Sequence, residues 1–228
     1  MILVFNAPPS AGKDFSADFF ASYYGATKLS FKTQLIKDLC AYYNIEQIQY
    51  DLLNHPELKE EPSPLFGGLS LRQALIHVSE NVVKKEKGDD WYGKCVSRQY
   101  MDTVQTNGTG LFVISDGGVL NEGVCSEFQP LLRTARYYQD NVFVVQIHRS
   151  GCTFSGKGDS RSYIGNRTHT VMQIAAGDIT VQEDSVDAGV GKLPIIELHN
   201  NLGVKSFERV LTAMAKHLGL KKSTRVAV

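Results

Sequence analysis

The chain has 228 residues, of which 43% are hydrophobic and 21% are charged, and 24 Lys and Arg balance 24 Asp and Glu. This length and composition predict one soluble domain with a sizeable core. A net charge of zero argues against a broad nucleic-acid-binding surface or an anionic membrane partner, so any anion site must be local.

The cysteines and the amino terminus indicate the compartment. The four cysteines form no C-x-x-C pair, which argues against a zinc site and a dense disulfide framework; they are Cys40, Cys95, Cys125 and Cys152. The chain starts with an apolar run that no basic region precedes, and no apolar run approaches the ~20 residues of a membrane helix. We expect a cytoplasmic protein.

Short apolar runs without alternation predict strands that are buried on both faces, as in a parallel sheet. They occupy residues 2–5, more weakly 28–31, and then 111–114, 142–147 and 195–198. Helical patterns lie between them, at 14–24, 33–43, 70–88, 126–138 and 205–218. We therefore predict an α/β fold, a three-layer sandwich with a mostly parallel sheet.

The segment between the first strand and the first helix has the build of a phosphate-binding loop. Residues 2–20 read ILVFNAPPSAGKDFSADFF. A phosphate cradle needs several backbone N–H groups around one concavity, a helix N-terminus behind them and a Lys that reaches the β and γ oxygens. The residues that can supply these groups are Ser10, Ala11, Gly12 and Lys13, and we expect a side chain to fit least well at Gly12.

This loop departs from G-x-x-x-x-G-K-[ST] at both ends. Ala7 replaces the first glycine, which is tolerable if its φ stays negative. Asp14 replaces the hydroxyl residue that binds Mg²⁺, and a carboxylate can also hold that ion, directly or through water. The alternative is an ordinary strand, turn and helix with Asp14 as a capping residue, but the placement after the first strand favours a nucleotide site.

The helix at 70–88 is the clearest of the predicted helices. Ser70 and Gln73 form a capping box, and an apolar stripe of Leu71, Ala74, Leu75, Val78 and Val82 follows. Arg72 points away from that stripe. Residues 47–68 and 149–192 resist assignment, and loops of this length in a compact domain are usually functional or disordered.

Two further features support a phosphoryl-transfer site. The predicted strand LFVIS leads into Asp116, a position from which a carboxylate can face Mg²⁺ or substrate. The stretch after residue 148 carries four cations against one acid, as a mobile basic lid would; they are Arg149, Lys157, Arg161 and Arg167 against Asp159. The alternative for each lid residue is a solvated surface charge.

Three motifs together resemble the bacteriophage deoxynucleoside monophosphate kinases. GKDFSADFF is similar to their Gly-Lys-Asp version of the P-loop, which animal phosphomevalonate kinases share as Gly-Lys-Asp-Phe. LIKDL at 35–39 is similar to their Pro-Leu/Ile-Lys-Asp element, and LRQALIHVSENVVKKEKGDDWYGK resembles their Arg-containing helix and Asp/Asn-x-Trp-Val-Lys segment. The order and spacing agree as far as ELHNNLGVKSFERVL, so the resemblance spans most of the chain.

The resemblance implies a P-loop nucleoside monophosphate kinase fold in one domain, residues 1–228. Its parts would be a core at about 1–46, 107–148 and 193–228, substrate-binding helices at about 47–106 and a lid or insertion at about 149–192. The implied cofactors are ATP and Mg²⁺, and the implied partners are small nucleotides. Whether the chain forms a homodimer stays open, and a viral protein of this kind would be located in the host cytoplasm.

The resemblance also implies roles for individual residues. Lys13 would hold the donor phosphates, and Asp14 with Asp116 would place Mg²⁺. The acceptor side would consist of Lys37 and Arg72 at the monophosphate, Trp91 beside the base and Asp116; the lid would supply Arg149 and Arg161; Asn200 or Asn201 would lie near the donor base.

The chain lacks an arginine that many relatives carry. They read Asp-x-Arg after the core strand, whereas Gly117 and Gly118 follow Asp116 here. A lid arginine can replace it, the acceptor can differ, or activity can be lost. The predicted function is phosphorylation of a deoxynucleoside monophosphate by ATP; the alternatives are a kinase of a modified base in DNA, an inactive nucleotide-binding regulatory protein and, more weakly, a phosphomevalonate kinase. The sequence leaves the accepted base and sugar open.

Overall fold

A central β-sheet organises the computed structural model of the protein, which describes residues 1–116, 126–154, 163, 171–175, 178–182, 186–187 and 192–223. Its strands are β1 (Ile2–Asn6), β2 (Thr27–Leu29), β3 (Phe112–Ile114), β4 (Val142–His148), β5 (Val171–Ala175), β6 (Asp178–Gln182), β7 (Val186–Asp187), β8 (Lys192–Leu193) and β9 (Ile195–His199). The main sheet has the order β2-β3-β1-β4-β9-β5-β6, and β7 pairs with β8 separately. All pairs in the main sheet are parallel except β5 with β6.

Eight helices connect these strands in the described ranges. They are α1 (Lys13–Tyr24), α2 (Lys32–Tyr43), α3 (Gln47–Leu53), α4 (Leu71–Ile76), α5 (Lys84–Lys87), α6 (Trp91–Asn107), α7 (Phe128–Tyr137) and α8 (Val204–His217). A 3₁₀ turn occupies Pro64–Phe66, and a π-helical segment, His77–Val83, joins α4 to α5. None of these helices is long and apolar enough to cross a membrane.

The centre of the sheet is buried on both faces, because the residues of β1 alternate between two hydrophobic clusters. In β1, Ile2 and Val4 belong to the cluster that includes side chains of α2, α4, α6 and α7. Leu3 and Phe5 belong to the cluster that includes side chains of α1 and α8. Each large apolar side chain buried in this way contributes about 1.5–3 kcal/mol. The predicted α/β fold with a mainly parallel sheet between helical layers is therefore confirmed.

The predicted strands and helices lie close to the observed ones, with a correction at the second strand. The weak run at 28–31 was expected to be extended throughout, but β2 ends at Leu29 and Phe31 already precedes α2. The reason is a contact that is distant in sequence, since the N–H groups of Phe31 and Lys32 donate to the carboxylate of Asp116. A single sequence window cannot reveal that contact.

The two unassigned stretches both contain regular structure. In residues 47–68, a capping box between Glu46 and Gln49 starts α3. In residues 149–192, β5 and β6 extend the main sheet, so that part of the expected lid range belongs to the sheet. The long helix α6 was not among the helical patterns assigned from the residues, although its buried Tyr92, Val96, Tyr100 and Val104 recur at every fourth position. It lies in the range 47–106, where the resemblance implied substrate-binding helices.

The helical stretch 71–87 begins as predicted and then changes phase. The capping box of Ser70 and Gln73 is present. Within the π-helical segment the N–H of Lys84 donates to the carbonyl of Ser79, five residues earlier. The buried positions follow that spacing, from Val78 to Val83 and from Ser79 to Lys84. The predicted stripe therefore holds up to Val78, whereas Val82 is only partly buried.

Gly93 of α6 allows a close approach that a larger residue would prevent. A Cβ atom at this position would lie 1.9 Å from the carbonyl oxygen of Glu127. We expect Gly93→Ala to lower the free energy of unfolding by at least about 1–3 kcal/mol, because backbone must move to admit the methyl group. Thermal and urea unfolding would measure this. Gly110→Ala is the control, since nothing lies within 4 Å of its added Cβ, and equal stability of both variants would contradict the packing.

Candidate functional site

The loop between β1 and α1, residues 7–12, lies at the carboxyl end of a central strand. β1 pairs with β3 on one side and with β4 on the other. In open α/β sheets, ligands bind outside the carboxyl ends of the strands, where the strand order reverses. This β1–α1 loop leads directly into α1, whose first N–H groups have no partners within the helix. Its position suits an anion site.

The loop turns sharply before the helix. Ser10 has φ 62° and Gly12 has φ 112°, both in the left-handed region, whereas Ala7 is buried without a positive φ. The condition under which alanine is tolerated at the end of the strand, a negative φ, is therefore satisfied at Ala7. A side chain at Gly12 would also displace its neighbours, because an added Cβ would lie 2.8 Å from Nδ2 of Asn200 and 3.2 Å from Cε1 of Phe207.

Two side chains from neighbouring strands hold the carbonyl groups of the loop. Asn200, which follows β9, donates from Nδ2 to the carbonyl of Ala11 at 2.9 Å. Arg149, which follows β4, donates from Nη1 to the carbonyl of Ser10 at 2.9 Å. Inside the loop, the N–H of Ala11 donates to the carbonyl of Pro8 at 3.3 Å. These bonds turn the carbonyl oxygens toward protein donors and bring the positive charge of Arg149 to the loop.

The first turn of α1 presents a cation and an anion. Nζ of Lys13 lies 3.5 Å from Oδ2 of Asp14, and the hydroxyl of Ser115 donates to Oδ1 of Asp14 at 2.8 Å. The side chain of Lys13 is mostly buried, whereas that of Asp14 is 71% exposed. Asp14 thus sits at the loop with much of its carboxylate open to solvent.

Asp116, which follows β3, makes a different set of contacts. Its Oδ2 accepts from the hydroxyl of Ser30 at 2.5 Å and from the N–H of Lys32 at 2.9 Å, and its Oδ1 accepts from the N–H of Phe31 at 3.2 Å. A carboxylate at a helix N-terminus satisfies free N–H groups and interacts favourably with the helix dipole. Asp116 therefore caps α2 and joins it to the sheet.

The loop opens into a cavity of about 540 Å³. Four cationic and four acidic residues line it, together with apolar and polar side chains. The charged residues are Lys13, Lys32, Lys59 and Arg72, and Asp14, Glu80, Asp116 and Glu127; the others are Pro9, Ser10, Phe31, Leu35, Asn54, Leu71, Leu75, Ile76, Ser79 and Tyr92. The cavity thus brings together five of the residues predicted from the sequence, namely Ser10, Lys13, Asp14, Arg72 and Asp116.

Three further cations line the cavity outside the β1–α1 loop, and they come from three separate segments. Arg72 begins α4, and its Nε donates to Oε1 of Glu60 at 2.8 Å in an ion pair whose side chains are both partly exposed. Lys59 is held nearby, because its carbonyl accepts the N–H of Arg72. Lys32 lies at the start of α2. Sequence reasoning missed Lys32 and Lys59, since no motif distinguishes them from ordinary surface lysines.

A buried ion-pair network forms another part of the cavity wall. Nζ of Lys84 lies 2.7 Å from Oε1 of Glu80 and 3.3 Å from Oε1 of Glu127, and the Lys84 side chain is 3% exposed. Burial alone would lower the pKa of Lys84, but the carboxylates of Glu127 and Glu80 raise it above its usual value. Burial raises the pKa of Glu127, and the charge of Lys84 opposes that effect.

Other predicted site residues lie outside this cavity. Lys37 is exposed on α2 and does not line the cavity. Trp91 packs against the core under Nζ of Lys87, 4.5 Å from its ring centroid, and also does not line it. Asn201 accepts the N–H of Ser150 at 2.8 Å through Oδ1, so Asn200 rather than Asn201 contacts the loop. Arg161 lies outside the described residues.

An aromatic cluster stands beside the loop at the ends of β4 and β9. The rings of His148 and His199 stack with centroids 5.4 Å apart, and Tyr163 lies 4.6 Å from His148. Burial lowers the pKa of His148, and burial raises the pKa of Tyr163 to about 12. The sequence contained no spacing that would have identified this cluster.

Comparisons with known proteins do not identify a family for this chain. No protein-family model matches the chain. No curated protein matches it. Among solved structures, it is similar to a "putative kinase" from Chloroflexus aurantiacus J-10-fl, with 12% identity and a TM-score of 0.44 over 96% of this chain and 95% of the other. A likeness at this level carries no argument about activity.

Gly12→Ala tests the geometry of the loop. We expect a loss of about 1–3 kcal/mol in unfolding free energy and a displaced loop, because the new methyl group meets Asn200 and Phe207 and φ is positive. Thermal unfolding with and without an ATP analogue would measure both effects. Gly67→Ala is the control for backbone strain alone, since its φ is 64° but nothing lies near the added Cβ. A smaller effect at Gly12 than at Gly67 would refute the contact.

Proposed function

We propose that the protein is an ATP-dependent phosphotransferase that converts a deoxynucleoside monophosphate to the diphosphate. The observation that carries this proposal is that the β1–α1 loop and a group of separate cations line the same cavity. The β1–α1 loop and the start of α1 offer a polyphosphate site, and the adjoining cavity carries further cations on α2, α4 and the segment before α4. A donor phosphate and an acceptor phosphate can thus lie next to each other in one cavity.

The reaction asks little covalent chemistry of the protein. An oxygen of the acceptor phosphate attacks the γ-phosphorus of ATP, and the bond from that phosphorus to the bridging oxygen breaks, releasing ADP. The attacking oxygen is already an anion, so no general base is required. Catalysis then depends on alignment of the two phosphates and on neutralisation of their charge. In this proposal Lys13 holds the donor phosphates, and Arg149 adds charge beside the loop.

The acceptor phosphate has a separate set of cations. Arg72 keeps donors free for a phosphate after its contact with Glu60, because a guanidinium has five N–H groups. Lys59 and Lys32 line the same cavity. A flexible, partly exposed pair such as Arg72 with Glu60 contributes about 0–1 kcal/mol, so a phosphate can displace it at low cost.

The residues at the loop fit Mg²⁺. This ion is usually bound through one or two carboxylates together with substrate phosphates and water, and Asp14 offers an exposed carboxylate beside the loop. Asp14 would hold the ion, with Asp116 as an outer partner, because both Asp116 oxygens already accept hydrogen bonds from the start of α2. When bound, Mg²⁺ neutralises charge on the phosphates.

A second candidate is a nucleotide-binding regulatory protein without turnover. The hydrogen bonds of Asp116 to the start of α2 favour it, as does the lack of an arginine two residues after Asp116. Incubation with labelled ATP, Mg²⁺ and a full set of nucleoside monophosphates separates the two. Labelled diphosphate supports the kinase, whereas ATP binding without transfer to any acceptor supports the regulatory protein.

Lys13→Ala should remove phosphate transfer while leaving the fold intact. We expect a fall in kcat of at least about 100-fold, since a cation aimed at the transferred phosphate is lost. Initial rates with labelled ATP and the thermal unfolding curve would measure both. Lys28→Ala is the matched control, because Lys28 is exposed, pairs with Asp18 and does not line the cavity. A Lys13 variant with most of its activity would refute the assigned loop.

Arg72→Ala should raise the KM of the acceptor by about tenfold or more and leave the KM of ATP nearly unchanged, because a charge-assisted bond to the acceptor alone is removed. Glu60→Gln should lower the acceptor KM, since Glu60 competes for the same guanidinium. Steady-state kinetics in each substrate measure these values, with Arg98→Ala on the exposed face of α6 as control. Equal changes in both KM values would remove Arg72 from the acceptor site.

A further inference from the structure

One part of the cavity wall has no role in the proposed phosphate chemistry. Ser79, Glu80, Tyr92 and Glu127 line the cavity, and Lys84 lies behind them. Two of these residues are acidic, and acidic groups repel phosphate. These residues are therefore suited to contact a part of the ligand other than its phosphates.

This wall is built with defined geometry. Lys84 bonds to both carboxylates, and the hydroxyl of Ser79 donates to the same Glu80 oxygen at 3.0 Å. The π-helical segment brings Ser79 and Lys84 to one face, and Gly93 lets α6 pack against the backbone of Glu127. Glu127 is consequently buried, whereas the Glu80 side chain is 41% exposed at the cavity.

The charges of this wall do not balance. One ammonium group serves two carboxylates, which leaves one negative charge beside a partly desolvated cavity. Buried ion pairs are poor sources of stability, because removing both ions from water offsets most of their attraction. A ligand group that donates hydrogen bonds would compensate the remaining charge.

A second observation points to a ligand at the same place. Tyr92 is 2% exposed and lines the cavity, and its hydroxyl lies beside Ser79 and Asp38 without making a hydrogen bond of good geometry to either. Beside this polar wall lie the apolar side chains of Phe31, Leu35, Leu71, Leu75 and Ile76. A flat ring with polar edges, such as a nucleobase, suits that combination.

We infer that Glu80 and Glu127 bind the base of the acceptor nucleotide and select bases that carry an amino group. This inference rests on the proposed function for the identity of the acceptor. The amino groups of cytosine, adenine and guanine donate to carboxylates. Uracil and thymine present a carbonyl oxygen where cytosine has its amino group, and that oxygen faces a negative charge.

The sharpest test compares dCMP with dUMP, which differ at that one group apart from the neighbouring ring proton. We expect kcat/KM for dCMP to exceed that for dUMP by about tenfold or more, as for a lost hydrogen bond to a charged group. Glu80→Gln should reduce this ratio at least about fivefold while the KM of ATP stays unchanged. Glu86→Gln is the matched control, because Glu86 is exposed on α5 and does not line the cavity.

Nucleotide binding without ATP separates this inference from the kinase proposal. Thermal shifts with dCMP and dUMP report selectivity even if no transfer occurs, so selective dCMP binding that Glu80→Gln removes would support the inference without the kinase. Transfer to dUMP as efficient as to dCMP, or a ratio that Glu80→Gln leaves unchanged, would overturn the inference and leave the kinase standing. Binding of neither nucleotide would overturn both. Glu127→Gln, with its unfolding curve, provides a second variant in the same measurements.

Discussion

The attachment of the β1–α1 loop to neighbouring strands is the constraint on which the candidate site depends. Gly12 has a left-handed backbone conformation, which glycine adopts without strain. Asn200 and Phe207 lie next to the position that a Cβ atom of residue 12 would occupy. Asn200 and Arg149 then bind two successive carbonyl groups of the loop. Because the ends of β4 and β9 supply these groups, the loop conformation is determined by the sheet.

A second attachment shapes the other side of the cavity. Asp116 connects the end of β3 to the start of α2, and that helix contributes Lys32 and Leu35 to the lining. The same carboxylate was predicted as a ligand for Mg²⁺ or substrate. Capping and ligand binding are not exclusive, since a carboxylate has about four lone-pair positions, but the structural contact accounts for the residue by itself.

Much of the fold was predictable because local signals agreed with tertiary packing. Buried strands such as β1 and β4 have continuous apolar runs, and α4 begins at a capping box. What could not be predicted depended on distant contacts. The hydrogen bond between Lys32 and Asp116, which helps to end β2, joins residues that are 84 positions apart in the sequence. The change of helical phase after Val78 cannot be read from a pattern with 3.6 residues per turn.

The candidate site was predictable where a motif fixes geometry and not elsewhere. Lys13 and Asp14 follow from the loop motif, whereas the helix start gave only the direction of Arg72, whose role came from the family resemblance. Lys37 and Trp91 were assigned through the family resemblance, and both lie outside the cavity lining. Lys59 and Glu127 line it although neither belongs to a recognisable pattern, because their positions arise from packing between segments that are far apart in the chain.

The π-helical segment lets one helical stretch serve both the core and the cavity wall. The wider turn acts like a one-residue insertion, so the residues after it have a different helical phase from the residues before it. Leu71 and Ala74 anchor the upstream half in the core, while Lys84 sits on the downstream half. A change in the length of the turn would therefore rotate Lys84 relative to Glu127, and it would also move Val83 from its place in the core.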